Sequence, residues 1–326
     1  MMRAIRQHTF GGPEQLVFEE LPDLEADAGQ VRVAVQAAGV HLLDASIRRG
    51  EPGPFGTVTL PMTPGREVAG VVDALGSGVD TEWLGRRVVV HLGAASGGYA
   101  SQAVAPASAL ITLESHVDAA EAVAMVGTGR TALGILDEAQ LAPRDVVLVT
   151  AAAGGLGTLL VQAAANAGCL VVGVAGGASK VDRARSLGAG VAIDYLDADW
   201  VGQVQAALGD RRITVALDGV GGVIGRAAFE LVGPGGRMVL FGYSEGSPME
   251  LNADDLFVHG VAVTAAIGPR MFARPGGIQA LAEEAVKRLA ADEWHPVVDR
   301  FPLAEAAEAH IALEARRTTG KVVLIP

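Results

Sequence analysis

Apolar positions fall along this chain in two textures. Up to about residue 120 they form short runs broken by turn residues. Val31–Gln36, Val68–Val72 and Arg87–His91 read as strands, and Pro and Gly crowd between them, as in Glu51–Gly56. This pattern predicts a small, mostly antiparallel β domain. Near Asp118 the texture changes. Ala119–Ala124 and Arg130–Ala139 carry helical periodicity, and then strands alternate with helices. Strands are expected at 146–150, 170–174, 191–194, 213–217, 237–241 and Val261–Ile267, and helices at 155–167, 179–187, 199–208 and 223–231. Such alternation builds a doubly wound parallel sheet with helices on both faces, so the fold class is α/β with a β-rich partner domain. Beyond Arg270 come a helix at Gly277–Ala290, an extended Pro296–Phe301, a helix at Leu303–Ala315 and a strand-like Lys321–Ile325. That tail is expected to return to the first domain.

From Val146 to Ser179 there is no Asp, Glu, Lys or Arg. The span is long enough for a membrane helix. Its punctuation points elsewhere, because Gly154-Gly155-Leu156-Gly157 interrupts two β-branched runs. A buried strand, a glycine turn, a helix and a second buried strand account for it.

Composition narrows the function classes. Half of the 326 residues are apolar and 19% are charged, with a mean hydropathy of +0.35, which excludes a mainly disordered chain. The 43 glycines follow no triplet period, so a collagen-like rod is excluded. Against 37 acidic residues stand 25 Lys and Arg, a net charge of −12 without any basic run. Nucleic acid is therefore not the expected partner. The single cysteine, Cys169, cannot form an internal disulfide or a Cys-rich zinc site; just after Gly168 at a strand start, it reads as an inert buried residue. Met1–His8 lacks the apolar core of a secretory signal. A cytoplasmic protein without a membrane span is expected.

The most informative segment runs from Val146 to Gly157. It is a strand, a turn of tiny residues and a helix start, with Ala152, Gly154 and Gly157 at the three small-residue positions of a dinucleotide fingerprint. The first needs a tight turn, the second must let a pyrophosphate touch backbone, and the third lets helix and strand approach. The helix start, with Gly155 and Leu156, offers amide donors and a positive dipole end. At the end of the second strand, Val174-Ala175-Gly176-Gly177-Ala178-Ser179-Lys180 lacks the acid that would bind a ribose 2′-hydroxyl. Small residues there leave room for a 2′-phosphate and Lys180 supplies a countercharge, so NADPH is expected over NADH.

The whole chain resembles the medium-chain dehydrogenase/reductase superfamily, and within it the zinc-free quinone oxidoreductase branch that includes the zeta-crystallins. The marks are Ala37–Asp44 (AAGVHLLD), Pro64–Val72 (PGREVAGVV), Gly97–Ala100 (GGYA), Ala151–Gly157 (AAAGGLG) and Leu313–Gly320 (LEARRTTG). The resemblance implies a GroES-like catalytic domain from residues 1–121 and 270–326, a Rossmann NADP(H)-binding domain from residues 122–269, and dimerisation through the last Rossmann strand, Val261–Ile267. It implies that Thr131 lies near the nicotinamide, that Lys180 and Tyr195 form the 2′-phosphate pocket, and that Phe241 and Arg316 contact the cofactor.

Zinc-dependent members of the superfamily have Cys where His41 stands and His where Arg66 stands. Arg66 cannot ligate a metal, and at most His41 and Glu67 remain as ligands, short of the three that a catalytic zinc needs; no metal is expected. Tyr99, Tyr195 and Tyr243 each lack a lysine four residues on, which excludes the Tyr-x-x-x-Lys mechanism of short-chain reductases. Without a Lewis acid, the expected substrates are small molecules that accept hydride readily, namely quinones and α,β-unsaturated carbonyl compounds. An enoyl thioester reductase of the same fold and a non-catalytic NADPH-binding protein are the alternatives.

Three positions depart from the branch's pattern: His41 replaces an asparagine, Ser46 a tyrosine, and Tyr243 the asparagine after Phe241-Gly242. His41 is the catalytic candidate, as proton donor or as cofactor anchor; Tyr243 is the second, as a phenolic donor. Asp44 is expected to pair with a neighbour, and Arg48, Arg66 and Arg130 to bind buried acids or an anionic substrate.

Overall fold

The computed structural model describes residues 1–51, 56 and 58–326, so the centre of the Pro/Gly turn expected at 51–56 lies outside the described residues. The chain divides into two compact units, residues 1–129 with 282–326, and residues 130–281. The edges set out above, 121/122 and 269/270, fall earlier in the chain than these divisions. The helix Gly277–Ala290 runs unbroken across the second one, so no change of texture marks it.

The first unit is built on a seven-stranded sheet. Its order is Val298–Pro302, Lys321–Ile325, Gln30–Gly39, Glu67–Leu75, Arg87–His91 and Ile111–Thr112, with Gln102–Pro106 also pairing to Gln30–Gly39. Every pairing is antiparallel except Val298–Pro302 with Lys321–Ile325. Gln30–Gly39 organises the unit. Along one edge it binds Glu67–Leu75; along the other, Gln102–Pro106 takes residues 30–34 and Lys321–Ile325 takes Ala38 and Gly39. Alternation along the strand sends Val31, Val33 and Val35 into a core with Val68, Val72, Val88, Val90 and Leu324. The C-terminal tail thus returns to the first unit, as its sequence predicts. It brings Lys321 to the end of the sheet where Glu67 begins its own strand.

The second unit is a six-stranded sheet ordered Val191–Asp194, Leu170–Ala175, Val146–Val149, Ile213–Asp218, Val232–Leu240 and Ala262–Ala265. All its pairings are parallel. Counted in chain order this is 3-2-1-4-5-6, the doubly wound Rossmann arrangement. Val146–Val149 is buried throughout, as a strand covered on both faces requires. Helices at Gly155–Asn166, Ala178–Ser186, Trp200–Leu208 and Gly222–Glu230 follow the first four strands. The uncharged Val146–Ser179 span is therefore α/β structure with both its strands in the central sheet, and among the described residues no helix is long and apolar enough to cross a membrane.

Two differences from the sequence reading in this unit have a clear local cause. The fifth strand begins at Val232 rather than 237, because Gly233-Pro234-Gly235-Gly236 is an irregular strand entry opposite a register shift between Ile213 and Val215. A helix at Ala253–His259 was not anticipated. Its signal is a capping box, in which the Asp255 amide donates to Asn252 Oδ1 (3.1 Å) and the Asn252 amide to Asp255 Oδ2 (2.9 Å), closed by Gly260 at φ +62°.

The antiparallel sheet leaves no room at Gly70, where an added Cβ would overlap the Ala34 carbonyl oxygen across the strand pair. Gly70→Ala is expected to destabilise the protein by about 1–3 kcal/mol, read as a lower urea midpoint at unchanged slope.

Candidate active site and nucleotide corner

The short helix Leu42–Arg48 follows directly from the central strand of the first unit, with His41 at its N-cap. Asp44, in the first turn, accepts from the His41 backbone amide at Oδ2 (2.9 Å), and the Asp44 amide donates to the His41 carbonyl oxygen (3.0 Å). The same buried carboxylate accepts from Arg66 Nη1 at Oδ1 (3.0 Å) and from the Tyr99 hydroxyl at Oδ2 (3.0 Å). Asp44 pairs with a neighbour, as expected, and that neighbour is the arginine standing at the zinc-ligand position.

The network continues in one direction. Because the Tyr99 hydroxyl donates to Asp44, its oxygen accepts from His310 Nε2 (3.1 Å). His310 Nδ1 then accepts from Arg48 Nη1 (3.0 Å), and Arg48 Nη2 donates to Glu314 Oε2 (2.9 Å). An arginine has only donors, so these partners assign His310 the neutral Nε2–H tautomer. Burial lowers the His310 pKa to about 4, and the nearby Arg48 charge works in the same direction. Burial, followed by the Asp44 charge, pushes the Tyr99 phenol well above its usual range, which keeps it a donor.

His41 presents its ring to a second buried acid. Nε2 lies 2.6 Å from Glu67 Oε1 and 2.7 Å from Lys321 Nζ, and Lys321 Nζ lies 2.8 Å from Glu67 Oε2. Glu67 and Lys321 are buried, while the His41 side chain is 34% exposed. Burial pushes the Glu67 carboxyl up, but the His41 and Lys321 charges, with a smaller contribution from His91, hold it well below the usual carboxylate range. The carboxylate occupies a slot lined by Gly39 and Gly127; an added Cβ at either position would overlap one of its oxygens. Both glycines are therefore required by the acid.

In the second unit the expected nucleotide corner has its predicted form. Thr150, directly after the first strand, donates its hydroxyl to Asp218 Oδ1 (2.6 Å), at the end of the fourth. Asp218 in turn accepts from the amides of Val220 and Gly221 (both 3.1 Å). Burial raises its pKa despite these bonds. The contact ties the ends of the two central strands together at the topological switch point, where open α/β sheets bind ligands. The tight turn is carried by Ala151 at φ +48° rather than by Ala152, whose methyl packs toward Gly173. At Gly157 an added Cβ would overlap the Ala151 carbonyl oxygen, whereas at Gly154 it would meet only that oxygen, at 3.3 Å. Gly157 thus closes helix onto strand and Gly154 leaves its outer face open, the division of labour a pyrophosphate needs. Gly155 and Leu156 open a twelve-residue helix without an acid in its first turn, so its N-terminal amides suit an anion. The residues present fit a dinucleotide.

The remaining candidates lie as follows. Lys180 is half-buried in the first turn of Ala178–Ser186, a helix entered through Gly177 at φ +91°. Tyr195 packs its ring against Gly176, with Cε2 3.2 Å from where a Cβ would stand. Phe241 covers Gly219, and Tyr243, 57% exposed, covers Gly221. Thr131 is the second residue of the helix Arg130–Ala139 and is half-buried. Arg316 is exposed and left-handed at φ +56°. Cys169 is half-buried rather than buried, its thiol donating to the Ala142 carbonyl (3.3 Å) and its pKa raised by burial. Arg48 and Arg66 bind buried or half-buried acids.

Sequence reasoning passed over four residues. Lys321 opens an apolar strand, His310 lies on an apolar helix face, Thr150 directly follows a buried strand and Asp218 ends one. A polar residue at the edge of an otherwise apolar run is the signal that Lys321, Thr150 and Asp218 share, whereas His310 sits in the middle of its helix.

Comparison with known proteins follows this architecture. Residues 27–115 match the family model of the alcohol dehydrogenase GroES-like domain, and residues 155–291 that of the zinc-binding dehydrogenases. A quinone oxidoreductase of Pseudomonas aeruginosa is 32% identical over 330 residues, covering all of both chains. A 2-haloacrylate reductase of a Burkholderia species is 31% identical over 333 residues, covering 100% of this chain and 99% of its own. The crystal structure of Escherichia coli quinone oxidoreductase complexed with NADPH superposes with a TM-score of 0.87 at 30% identity, with both chains fully covered.

The neutral His310 makes stability depend on pH. Its folded pKa of about 4 lies below the ordinary 6.5, so between these values the unfolded chain binds the additional proton. The contribution is complete above pH 6.5 and is lost as pH falls toward 4, by up to about 3 kcal/mol. In His310→Gln the fall in urea midpoint between pH 6.5 and 4.5 is expected to shrink; an unchanged pH dependence would remove His310 as its source.

Proposed function

The chain belongs to the quinone oxidoreductase branch of the medium-chain dehydrogenase/reductase superfamily, and from that membership we propose that it is an NADPH-dependent reductase of quinones or α,β-unsaturated carbonyl compounds that works without a metal ion. The observation that carries this reading is the corner at Ala151–Gly157, open over Gly154 and closed at Gly157. The bound nicotinamide supplies the hydride. The glycine corner holds the pyrophosphate, and Lys180 with Tyr195 holds the 2′-phosphate, since Gly176 and Gly177 stand where an acid would select NADH. Thr131, Phe241 and Arg316 are assigned to the cofactor, and Tyr243 to a hydrogen bond with substrate. His41 is assigned the proton that the reduced acceptor takes up.

The donor set supports chemistry without zinc. Arg66 is committed to Asp44 and carries a permanent charge. The His41 imidazole turns Nε2 to Glu67 and to the Lys321 ammonium. The relatives named above act on quinones and on a 2-haloacrylate, both conjugated acceptors that take hydride without strong Lewis-acid help.

A homodimer in the cytoplasm completes the proposal. It forms through Ala262–Ala265, the edge strand of the parallel sheet, flanked by Phe257 and Val258, which are 87% and 80% exposed. An apolar edge of this kind is satisfied by a second copy across a two-fold axis.

Fluorescence titration is expected to show NADPH binding at least about tenfold more tightly than NADH, and Lys180→Ala to remove most of that difference. Tighter binding of NADH would refute the 2′-phosphate assignment. In steady-state assays over quinones, enones and enoyl thioesters, His41→Ala is expected to lower kcat/KM at least about tenfold; an unchanged value would take His41 out of the site. Phe257→Asp with Val258→Asp is expected to give a monomer by light scattering.

A further inference from the structure

Arg316 holds a backbone conformation that glycine would adopt with less strain. The helix Ala306–Glu314 ends with Ala315 as its cap, and Arg316 follows in the left-handed region at φ +56°. The Arg316 amide donates to the Leu313 carbonyl oxygen (3.0 Å), and the Arg317 amide to that of Ala312 (2.9 Å). These two bonds make a Schellman motif, whose left-handed position is ordinarily glycine because a Cβ there crowds the backbone. A side chain kept at such a position, against the preference of its own backbone, implies a use for that side chain. Arg316 is exposed, and a guanidinium offers the forked pair of donors that suits a phosphate.

The turn before it is clamped. Glu314, the last residue of the helix, accepts from two arginines that are neighbours in sequence. Arg48 Nη2 lies 3.1 Å from Oε1 and 2.9 Å from Oε2, and Arg49 Nη1 lies 2.5 Å from Oε1. Arg48 is buried and its other donors are committed: Nε donates to the Gly11 carbonyl oxygen (3.1 Å) and Nη1 to His310 Nδ1 (3.0 Å). His310 stands one turn before Glu314 on the same helix, so Arg48 grips one face of that helix at two successive turns. Arg49 is itself held, through Nε by Glu51 Oε1 (2.8 Å) and through Nη2 by Ser46 Oγ (3.1 Å).

We propose that Glu314, gripped by Arg48 and Arg49, is a positioning residue that fixes Arg316 for a phosphate of the bound NADPH. The inference rests on the functional reading above, which assigns Arg316 to the cofactor, and it adds what holds the strained cap in place. With the helix end immobile, the backbone from which the guanidinium projects is ordered before the cofactor arrives, so less freedom is lost on binding. The three clamp residues act through the helix end and need no contact with the cofactor. Arg48 also closes the short helix that His41 opens. One seven-residue helix thus carries the catalytic candidate at its start and the clamp at its end.

Fluorescence titration with NADPH and urea unfolding of the same variants test the assignment. Arg316→Gly is expected to raise the urea midpoint, because glycine relieves the left-handed backbone, while weakening NADPH binding at least about tenfold. Glu314→Gln is expected to weaken NADPH about fivefold alone and less than about twofold in the Arg316→Gly background, because the clamp works only through that arginine. Should Glu314→Gln not fold with Arg48 left buried and uncompensated, Arg49→Met loosens the clamp from its exposed side and is read in the same two backgrounds. Equal losses in both backgrounds would make Glu314 a merely structural residue and overturn the proposal. Unchanged NADPH affinity or a lowered midpoint in Arg316→Gly overturns it too. A wild-type protein that binds no NADPH overturns the functional reading and the inference with it, whereas tight wild-type binding without the Glu314–Arg316 coupling overturns the inference alone.

Discussion

A fully buried carboxylate has to be compensated where it stands, and Glu67 imposes that constraint on much of the first unit. An ionised acid in a protein interior is costly unless cations and space are both provided. Lys321 and His41 provide the charge, and Gly39 and Gly127 provide the space. With Glu67 itself, these residues come from four separate parts of the chain, at 39–41, 67, 127 and 321. The return of the C-terminal strand to Ala38 and Gly39 is what brings the lysine within reach. The sheet's strand order and the chemistry of the site are thus consequences of one another.

The second buried acid of this unit, Asp44, is treated differently. It is matched by a permanent cation, Arg66, and by neutral donors that extend through Tyr99 and His310 to Arg48. Each link in that chain has its donor direction set by the next, so the network specifies one arrangement of protons. One acid thus holds the backbone of His41 still, while the other faces the ring. In the Rossmann unit Asp218 has a comparable duty, joining the ends of two central strands through Thr150 and organising the turn that follows.

Architecture was legible in the sequence because burial writes itself as period and texture. The apolar run at Val146–Val149 and the tiny-residue corner after it read correctly, as did the alternation that follows, since a strand covered on both faces leaves few other options. The helix Ala253–His259 was missed because its face is largely exposed, so its signal sat in the Asn252 cap instead of in a hydrophobic stripe. His41 and Glu67 stood out as residues, but their partner did not. Lys321 lies more than 250 positions from either in the chain, and only the sheet register joins them. His310 was hidden for the opposite reason, a polar ring placed on the apolar side of a helix, where sequence alone reads packing.

The pairing of Lys321–Ile325 beside the central strand also sets an order of events at the ribosome. Synthesis runs from the amino end, and domains fold as units while the chain emerges. The Rossmann unit, residues 130–281, is complete while the terminal strand is still being made. Glu67 waits through that interval for the lysine it faces in the finished sheet. Until Lys321–Ile325 has emerged, the first unit lacks the strand that pairs with Ala38 and Gly39 and the cation beside Glu67.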